Sequence, residues 1–372
     1  MKKNKVIISG GGTGGHIFPA IAIANALKRR CPDIEILFVG ASGKMEMEKV
    51  PAAGYEIVGL PVMGFYRKPT LKNIKVLLNL YKSLGLAKRT LKTFAPDVVV
   101  GVGGYASGPV GRIALNKKIP LILQEQNSYA GVTNRILGRK AKKICVAYEG
   151  MERFFPKKNI VFTGNPIRRN LGNEIRDTEA AYAGYGLKSG CKTVLVTGGS
   201  LGAKTMNKAM LNVVETLGNR AGIQFIWQCG KYYYEDLKRE LEGNMPFNLC
   251  LLPFIENMDM AYAISDVVVA RAGAGTISEL CALGKASILI PSPNVAEDHQ
   301  TRNAESLTAK GAAIMIRDSE AESNLLAVLE SLLSDGERIN ILSGNSKVLG
   351  IKDADDKIAD VIFEYLENGS VE

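Results

Sequence analysis

A glycine-rich run near the start of the chain is the first feature whose residue types could do chemistry. Residues 10–16 read GGGTGGH, after a short β-branched run and before a helical pattern. Glycines let the backbone approach a phosphate closely, and the N–H groups at a helix start favour negative charge. The run therefore predicts a phosphate or diphosphate site in preference to a turn that serves packing alone.

The same run contains the spacing G-x-G-x-x-G, which also occurs in dinucleotide-binding proteins. Such proteins carry an acidic residue at the end of the second strand to hold the ribose, but here that strand ends FVGAS at residues 38–42. The sequence therefore argues against a nicotinamide-dependent oxidoreductase.

Further loops of small and polar residues follow other predicted strands. The loop GVGGYASGP at 101–109 places Tyr105 at a strand end, and GGSLGA at 198–203 offers the hydroxyl and amides of Ser200. Glu279 lies near a helix start, where a ribose diol and the helix dipole are equally good partners for it. The run EDHQ at 297–300 reads either as a set of sugar-binding side chains or as a solvated loop. Together the loops predict a phosphorylated ligand.

These loops need strands and helices to position them. Buried β-branched runs alternate with helical patterns, which favours parallel sheets covered on both faces. The predicted strands are 6–9, 35–39, 97–102, 120–124, 193–197, 224–228, 266–270 and 287–291, and the predicted helices are 17–30, 204–217, 276–283 and 353–367. The sequence therefore predicts an α/β fold class, with two facing Rossmann-like doubly wound domains and an interdomain cleft. The TGNP step at 163–166 marks the boundary, which gives domains 1–164 and 165–350.

Composition restricts the class of protein. The 372 residues are 46% hydrophobic, no apolar run is long enough to span a membrane, and the start lacks a signal-peptide core. Six scattered cysteines and two distant histidines predict reduced thiols and no metal site. Residues 1–162 hold 27 Lys and Arg against 9 Asp and Glu, whereas the remainder is acidic. A basic half suits nucleic acid, an anionic membrane or a phosphorylated substrate.

Seven motifs in order resemble one enzyme family over essentially the whole chain. They are GGTGGH preceded by an extra glycine (10–16), GVGGYASGP (101–109), QEQN (124–127), TGNPIR (163–168), TGGSLGA (197–203), ARAGAGTISE (270–279) and EDHQ (297–300). The set resembles the undecaprenyldiphospho-muramoylpentapeptide β-N-acetylglucosaminyltransferases of bacterial cell-wall synthesis. The resemblance implies a GT-B fold, inverting transfer from UDP-N-acetylglucosamine to the muramoyl 4-hydroxyl of lipid I, and no metal or other cofactor. It also implies that a last helix, about 353–370, returns to the first domain.

The resemblance also implies site residues. Those for the donor are Thr13, Gly14, Gly15, Asn127, Arg168, Ser200, Ile255, Ala274, Gly275, Thr276, Glu279 and Gln300, and those for the acceptor are Thr13, Gly14, Gly15, His16 and Tyr105. Arg168 is expected near the nucleotide, Glu279 on the ribose, the Ile255 backbone on uracil, and Gln300 with Asn127 on the sugar hydroxyls. Gln124 stands where many relatives have His, so no base role can belong to that position.

The reaction needs a base for the acceptor hydroxyl. His16 is the first candidate, because imidazole titrates near neutral pH and this one follows an anion-binding loop. Glu125 is the second candidate. A hydrogen bond from His16 to the acceptor diphosphate is an alternative role that remains open.

A lipid-linked acceptor requires a docking surface, and residues 57–96 contain no Asp or Glu. The stretch mixes basic residues (Arg67, Lys68, Lys72, Lys75, Lys82, Lys88, Arg89, Lys92) with apolar ones (Phe65, Ile74, Leu77, Leu78, Leu80, Tyr81, Leu84, Leu86). We expect Lys72, Lys75, Leu77, Tyr81 and Lys82 to contact the anionic cytoplasmic leaflet of the inner membrane, with the protein peripheral there. A core-facing helix with a solvated basic face is the alternative.

Three other functions compete with this interpretation. A GT-B enzyme that glycosylates another lipid, such as diacylglycerol, would share the donor loops. A sugar-nucleotide epimerase would need more carboxylates. A nucleic-acid-binding protein would need aromatic residues between its basic ones, so no nucleic-acid partner is expected. Other cell-wall synthesis proteins are candidate partners.

Overall fold

The computed structural model describes residues 3–64, 72–168, 171 and 178–368. The chain divides into two units, of which the first comprises residues 1–167 and 351–372 and the second comprises residues 168–350. Each unit is a parallel sheet with helices on both faces, which confirms the predicted α/β fold class.

The first part of the chain alternates strands and helices. The strands are β1 (Lys5–Ser9), β2 (Glu35–Ala41), β3 (Glu56–Leu60), β4 (Val98–Gly101), β5 (Leu121–Glu125), β6 (Lys143–Val146) and β7 (Ile160–Phe162). The helices are α1 (Gly14–Arg30), α2 (Glu46–Ala52), α3 (Lys72–Phe94), α4 (Ser107–Asn116) and α5 (Val132–Gly138). All strand pairs are parallel, in the order β3-β2-β1-β4-β5-β6-β7.

The second part repeats this plan. Its strands are β8 (Lys192–Thr197), β9 (Ile223–Gln228), β10 (Leu249–Leu252), β11 (Val267–Ala270), β12 (Ala286–Leu289) and β13 (Ile314–Met315). Its helices are α6 (Thr178–Gly184), α7 (Lys204–Leu217), α8 (Tyr234–Glu240), α9 (Met258–Ala263), α10 (Ala274–Leu283), α11 (His299–Thr308), α12 (Ala321–Ser334) and α13 (Gly336–Val348). The last helix, α14 (Ala354–Asn368), belongs to the first unit. The strands are again parallel, in the order β10-β9-β8-β11-β12-β13.

Helix α14 packs on α1 within the first unit. Ile358 and Ile362 of this helix are fully buried. Arg29 forms ion pairs with Asp355 at 2.7 Å and Asp356 at 2.8 Å. Buried apolar contacts and complementary charge therefore fasten the last helix to the first.

The strand order places the loops of interest at one position in each sheet. Strand order reverses between β1 and β4 in the first unit and between β8 and β11 in the second. Ligands of doubly wound folds bind at the carboxyl ends of the strands at this switch point. The loops that follow β1, β4, β8 and β11 are all among those that the sequence singled out.

Candidate functional site

The loop after β1 leads directly into the N-terminus of α1. Thr13 is extended and precedes the first helical residue, Gly14. The Thr13 hydroxyl makes no cap bond to the helix; it lies 3.1 Å from His16 Nδ1. If Nδ1–H donates to Thr13, the proton-accepting lone pair of the ring is on Nε2.

The loops after β1 and β4 pack backbone against backbone. Gly104 has a φ of +81°, and a Cβ there would lie 2.2 Å from the carbonyl oxygen of Gly11. A Cβ on Gly103 would lie 3.0 Å from the ring of His16. The glycines after β4 therefore bring that loop against both the first glycine loop and His16.

Tyr105 follows these glycines and is 53% exposed. Its ring lies beside Gly64, where a Cβ would come within 2.6 Å of the Tyr105 hydroxyl. Ser107 is buried at the start of α4, and its hydroxyl lies 2.7 Å from the Ser9 carbonyl and 2.8 Å from the Gly103 carbonyl. The serine thus holds the ends of β1 and β4 together below the loops.

Glu125, the second base candidate, is 2% exposed and accepts several hydrogen bonds. Its Oε1 accepts the backbone N–H of Asn127 at 3.1 Å, and its Oε2 accepts from Gly131 N–H at 3.1 Å and Asn134 Nδ2 at 2.9 Å. Burial raises the pKa of the Glu125 carboxyl, and these bonds oppose the shift. The carboxylate orders the loop that connects β5 to α5.

Gln124, beside it, is fully buried. Its amide donates to Asn165 Oδ1 at 2.9 Å, and the Asn165 amide donates to the carbonyl of Gln126 at 2.8 Å. The amide at position 124 therefore has an internal structural role in this chain.

In the second unit, neutral side chains support the loop after β8. Gln228 is 4% exposed; its amide donates to the Gly199 carbonyl at 2.8 Å, and its oxygen accepts from the Thr197 hydroxyl at 2.6 Å. Gly202 has a φ of +76°, and a Cβ there would lie 2.0 Å from the Cys229 carbonyl oxygen. Ser200, at the tip of this loop, is exposed.

The loop after β11 leads into α10, whose first residues are Ala274, Gly275 and Thr276. The sequence predicted the helix to begin at Thr276, so it starts two residues earlier. Since Gly273 has no side chain to cap the helix, the first-turn N–H groups stay available to an anion.

The structure brings together Arg168 and Glu279, two predicted donor residues. Arg168 Nε lies 3.1 Å from Glu279 Oε1, and the Tyr262 hydroxyl donates to Glu279 Oε2 at 3.2 Å. The glutamate side chain is 11% exposed and that of Arg168 is 54% exposed. Burial raises the pKa of Glu279, although Arg168 and Tyr262 lower it.

Two other predicted donor residues, Ile255 and Gln300, follow β10 and β12 along the chain. Ile255 is 3% exposed, so its backbone is the part that could read a base, and the preceding Phe254 is 42% exposed. The side-chain oxygen of Gln300 accepts the N–H of Ser292 at 2.8 Å, which ties α11 to the segment after β12. Asn127, Thr13, Gly14 and Gly15 lie in the first unit, and their assignment to the donor stays a prediction.

Arg271 carries a role that sequence reasoning missed. Its guanidinium donates to the carbonyls of Ile290 and Pro291 at 3.1 and 3.2 Å and to Asp318 at 2.5 Å. The other oxygen of Asp318 accepts from Thr205, at the start of α7. One ion pair thus links the segments after β8, β11 and β12. The ARAGAG motif contained the arginine, but nothing local indicated its partner.

Helices α1, α7 and α10 begin without a cap, as α4, α5 and α11 also do. In the described part of the chain, none of the three has a side-chain cap bond or an acidic residue in its first turn. Helix starts are commonly capped by Ser, Thr, Asp or Asn. Three uncapped starts at the switch points therefore offer N–H groups and positive dipole ends to phosphate groups.

Helix α3 has two contrasting faces. Val76, Ala87 and Leu91 are buried in the core, so the core-facing alternative accounts for part of the apolar content. The exposed face carries an apolar group, Ile74, Leu77, Leu78 and Tyr81, of which Tyr81 is 78% exposed. Exposed basic residues flank this group: Lys75, Lys82, Lys88, Arg89 and Lys92.

Some predicted residues of this region lie outside the described part: Phe65, Arg67, Lys68 and the Lys72 side chain. No helix in the described ranges is both long and apolar enough to cross a membrane. Across those same ranges, His, Cys, Asp and Glu side chains form no cluster of three that could hold a metal ion.

Comparison with known proteins identifies relatives of both halves of the chain. Residues 6–146 match the model of the glycosyltransferase family 28 N-terminal domain, and residues 193–358 match that of the glycosyltransferase family 28 C-terminal domain. A curated relative from Parabacteroides distasonis is 52% identical over 99% of this chain and 100% of its own length. One from Cytophaga hutchinsonii is 50% identical over 98% of each chain. Both are named UDP-N-acetylglucosamine–N-acetylmuramyl-(pentapeptide) pyrophosphoryl-undecaprenol N-acetylglucosamine transferase.

Solved structures show the same fold. Acinetobacter baumannii MurG superposes with a TM-score of 0.78 at 29% identity, over 97% of this chain and 99% of that one. A UDP-GlcNAc 2-epimerase from Neisseria meningitidis reaches a TM-score of 0.66 at 14% identity, over 98% of this chain and 100% of its own. At that identity the epimerase is similar in fold alone.

Proposed function

The chain belongs to glycosyltransferase family 28, and from that premise we propose how its residues carry out sugar transfer. The enzyme transfers N-acetylglucosamine from UDP-N-acetylglucosamine to N-acetylmuramyl-(pentapeptide) pyrophosphoryl-undecaprenol, or lipid I, and so forms lipid II. The muramoyl 4-hydroxyl attacks the anomeric carbon and inverts it. The bond from that carbon to UDP breaks, UDP leaves with the electron pair, and a base takes the hydroxyl proton.

The single observation that carries this proposal is the set of uncapped helix starts beside the switch points. Departing UDP develops negative charge on its diphosphate, and N–H groups fixed in place stabilise that charge without reorganisation. We assign the starts of α7 and α10 to the diphosphate of the sugar donor, to which the Ser200 hydroxyl gives a further hydrogen bond. The start of α1 is assigned to the acceptor diphosphate.

The second unit supplies the contacts to the nucleoside. Glu279 is held in place by Tyr262 and Arg168, so its carboxylate can accept hydrogen bonds from the ribose diol. The backbone of Ile255 reads uracil, and Gln300 binds sugar hydroxyls from the start of α11.

In the first unit, His16 is the proposed base. Its bond to Thr13 fixes the ring, and its place after the anion-binding loop brings it near the acceptor's reacting end. Glu125 suits this role less well, because backbone and side-chain N–H groups occupy both of its oxygens. We assign Glu125 to the ordering of its loop, and Tyr105 to contact with the acceptor.

A direct transfer assay tests the function. Labelled UDP-N-acetylglucosamine is offered with a short-chain lipid I analogue, in the presence of a chelator, and with diacylglycerol as the control acceptor. We expect labelled lipid II from lipid I and no product from diacylglycerol. Product from diacylglycerol alone would overturn the assignment of lipid I as the acceptor, and with it the roles of Tyr105 and His16. The assignment of the donor site would not be affected.

The exposed face of α3 is the proposed membrane contact. Ile74, Leu77 and Tyr81 would enter the interface, and the flanking lysines would bind anionic headgroups. A peripheral position on the cytoplasmic leaflet of the inner membrane would bring the enzyme to its lipid-linked acceptor.

Charge reversal on α3 tests this contact. Lys72→Glu, Lys75→Glu and Lys82→Glu together should weaken binding to phosphatidylglycerol vesicles by about 100-fold or more, since each lysine near the surface contributes about 1 kcal/mol. Transfer to a water-soluble acceptor analogue should persist. The matched control reverses Lys49, Lys157 and Lys158, exposed lysines elsewhere in the first unit. Equal vesicle binding by the two triple variants would refute the membrane surface.

A further inference from the structure

A buried carboxyl group that the mechanism does not use lies below the first glycine loop. Glu46, the first residue of α2, has no exposed surface. Its Oε1 accepts the backbone N–H of Gly12 at 3.0 Å and that of Ala41 at 2.9 Å. Its Oε2 is buried and has no hydrogen-bond partner among the described residues. One side chain therefore ties the loop after β1 to the end of β2.

Glycines make the space for this side chain. A Cβ on Gly11 would lie 2.0 Å from Glu46 Oε1, and a Cβ on Gly40 would lie 2.7 Å from Glu46 Cγ. Gly11 also has a φ of +147°, which side chains rarely adopt. The extra glycines of the loop thus serve the buried carboxyl as well as an outer ligand.

The contact extends from Glu46 towards His16. Gly12, which Glu46 holds, is next to Gly11, and the Gly11 carbonyl packs against Gly104. The neighbouring Gly103 lies against the His16 ring. A displacement of the loop at Gly12 would therefore reach the backbone on which His16 rests.

An electrostatic reason to place a carboxyl here is lacking. A negative charge below an anion-binding loop opposes a phosphate, and the bond to Gly12 removes one N–H from those that a phosphate could use. The Glu46 carboxyl instead fixes the relative positions of two strand ends, because an N–H group from each of them donates to the same oxygen.

We propose that Glu46 is a positioning residue of the acceptor site, one that fixes the glycine loop so that the acceptor diphosphate binds at the start of α1 and the acceptor hydroxyl meets His16. This inference rests on the proposed assignment of that loop to the acceptor. The proposal predicts an effect on acceptor binding and none on donor binding, because Glu46 and both of its hydrogen bonds lie in the first unit.

Three substitutions at this position test the proposal. Glu46→Gln keeps a side-chain oxygen that can accept both N–H groups, so the acceptor KM should stay within about threefold of the wild-type value. Glu46→Asp is one methylene shorter and Glu46→Ala has no acceptor. Both should raise the acceptor KM by about 10- to 100-fold, because small displacements of a positioned site are costly. The KM for UDP-N-acetylglucosamine and the Kd for UDP should not change.

Glu48→Ala is the matched control, since Glu48 is exposed on the same helix. A Glu46→Ala enzyme with the acceptor KM of Glu48→Ala would overturn the proposal. So would a folded Glu46→Gln enzyme that loses as much acceptor binding as Glu46→Ala. If the alanine variant does not fold, Glu46→Asp decides: a wild-type acceptor KM in that variant refutes the proposal.

A second measurement does not depend on catalysis. Amide hydrogen exchange of the peptide covering residues 10–16 should be faster in Glu46→Asp than in wild type and unchanged in Glu46→Gln. If wild-type enzyme fails to glycosylate lipid I while these exchange rates follow the expected order, the proposed function is wrong and the loop contact stands. If transfer occurs and exchange is the same in all variants, the positioning role is wrong.

Discussion

The two glycine loops that follow β1 and β8 occupy the same place in their sheets but are supported differently. A buried carboxyl, Glu46, holds the first loop by accepting N–H groups. A buried amide, Gln228, holds the second by donating to Gly199 and accepting from Thr197. Both supports come from neighbouring elements, so in each unit the loop geometry is set by residues distant in sequence.

The outward side chains of the two loops differ as well. The first loop presents the hydrogen-bonded pair Thr13 and His16, whereas the second, GGSLGA, presents Ser200 and no titratable group. A leaving diphosphate needs stationary N–H and hydroxyl donors, and the acceptor hydroxyl needs a group that can take a proton. The difference therefore matches a division in which the first loop serves the acceptor and the second serves the donor.

Removal of the imidazole should have the largest effect on this division. His16→Ala is expected to lower kcat by about 10²- to 10⁴-fold, the usual contribution of a general base, with UDP affinity unchanged. Steady-state transfer kinetics with the lipid I analogue provide the measurement. Thr13→Val removes the hydroxyl that bonds to Nδ1 and should lower kcat less.

The opposite pattern in His16→Ala would change the assignment. If the acceptor KM rises while kcat is retained, His16 binds the diphosphate and the base lies elsewhere. If both constants match the wild-type values, the first loop has no part in proton transfer.

A carboxylate below the second loop would make it resemble the first. Gln228→Glu replaces the amide that donates to the Gly199 carbonyl by an oxygen that repels it, and it adds charge near the donor diphosphate. We expect the KM for UDP-N-acetylglucosamine to rise by about tenfold, with little change in the acceptor KM.

Gln224→Glu is the control for that variant. Gln224 lies near the other end of the same strand, is 3% exposed, and also donates from its amide, to Lys188 and Thr193. The two variants should lose comparable stability, and the donor KM should respond only to Gln228→Glu. A similar rise in both would mean that general destabilisation, and not the loop support, controls donor binding.

Local pattern predicted the elements that carry the loops. The predicted helix 204–217 has the observed bounds, and the predicted strands lie within two residues of β1, β2, β4, β5, β8, β9, β11 and β12. Short strands at or near the sheet edges, β6, β7, β10 and β13, were missed, as was the edge strand β3, which begins one residue before the stretch 57–96. Two to four residues give too weak a period to recognise.

The supports of the site could not be predicted in this way. Glu46 contacts Gly12 across 34 residues, and Arg271 contacts Asp318 across 47. Nothing in the neighbourhood of Glu46 distinguishes it from the exposed Glu48, because only the folded chain places one below a glycine loop. Residues that face a ligand lie in recognisable sequence motifs. Residues that hold these motifs in place are brought to them by long-range packing, which a local pattern does not show.

The smallest expected effect concerns Cys229, whose carbonyl packs against Gly202 of the second loop. Burial raises the pKa of its thiol from 9.0 to about 11, so the group below this loop stays neutral in the folded protein well above neutral pH. The unfolded chain releases this proton at lower pH, and stability should therefore fall as pH rises from about 9 towards 11.

Cys229→Ala adds a cavity cost that does not depend on pH. It should lose on the order of 1 kcal/mol less than wild type in urea unfolding between pH 8.5 and 10.5, because ionisation of all other groups is common to both proteins. Equal losses would mean that the thiol ionises as readily in the folded chain as in the unfolded one, and that the second loop does not rest on uncharged groups throughout this pH range.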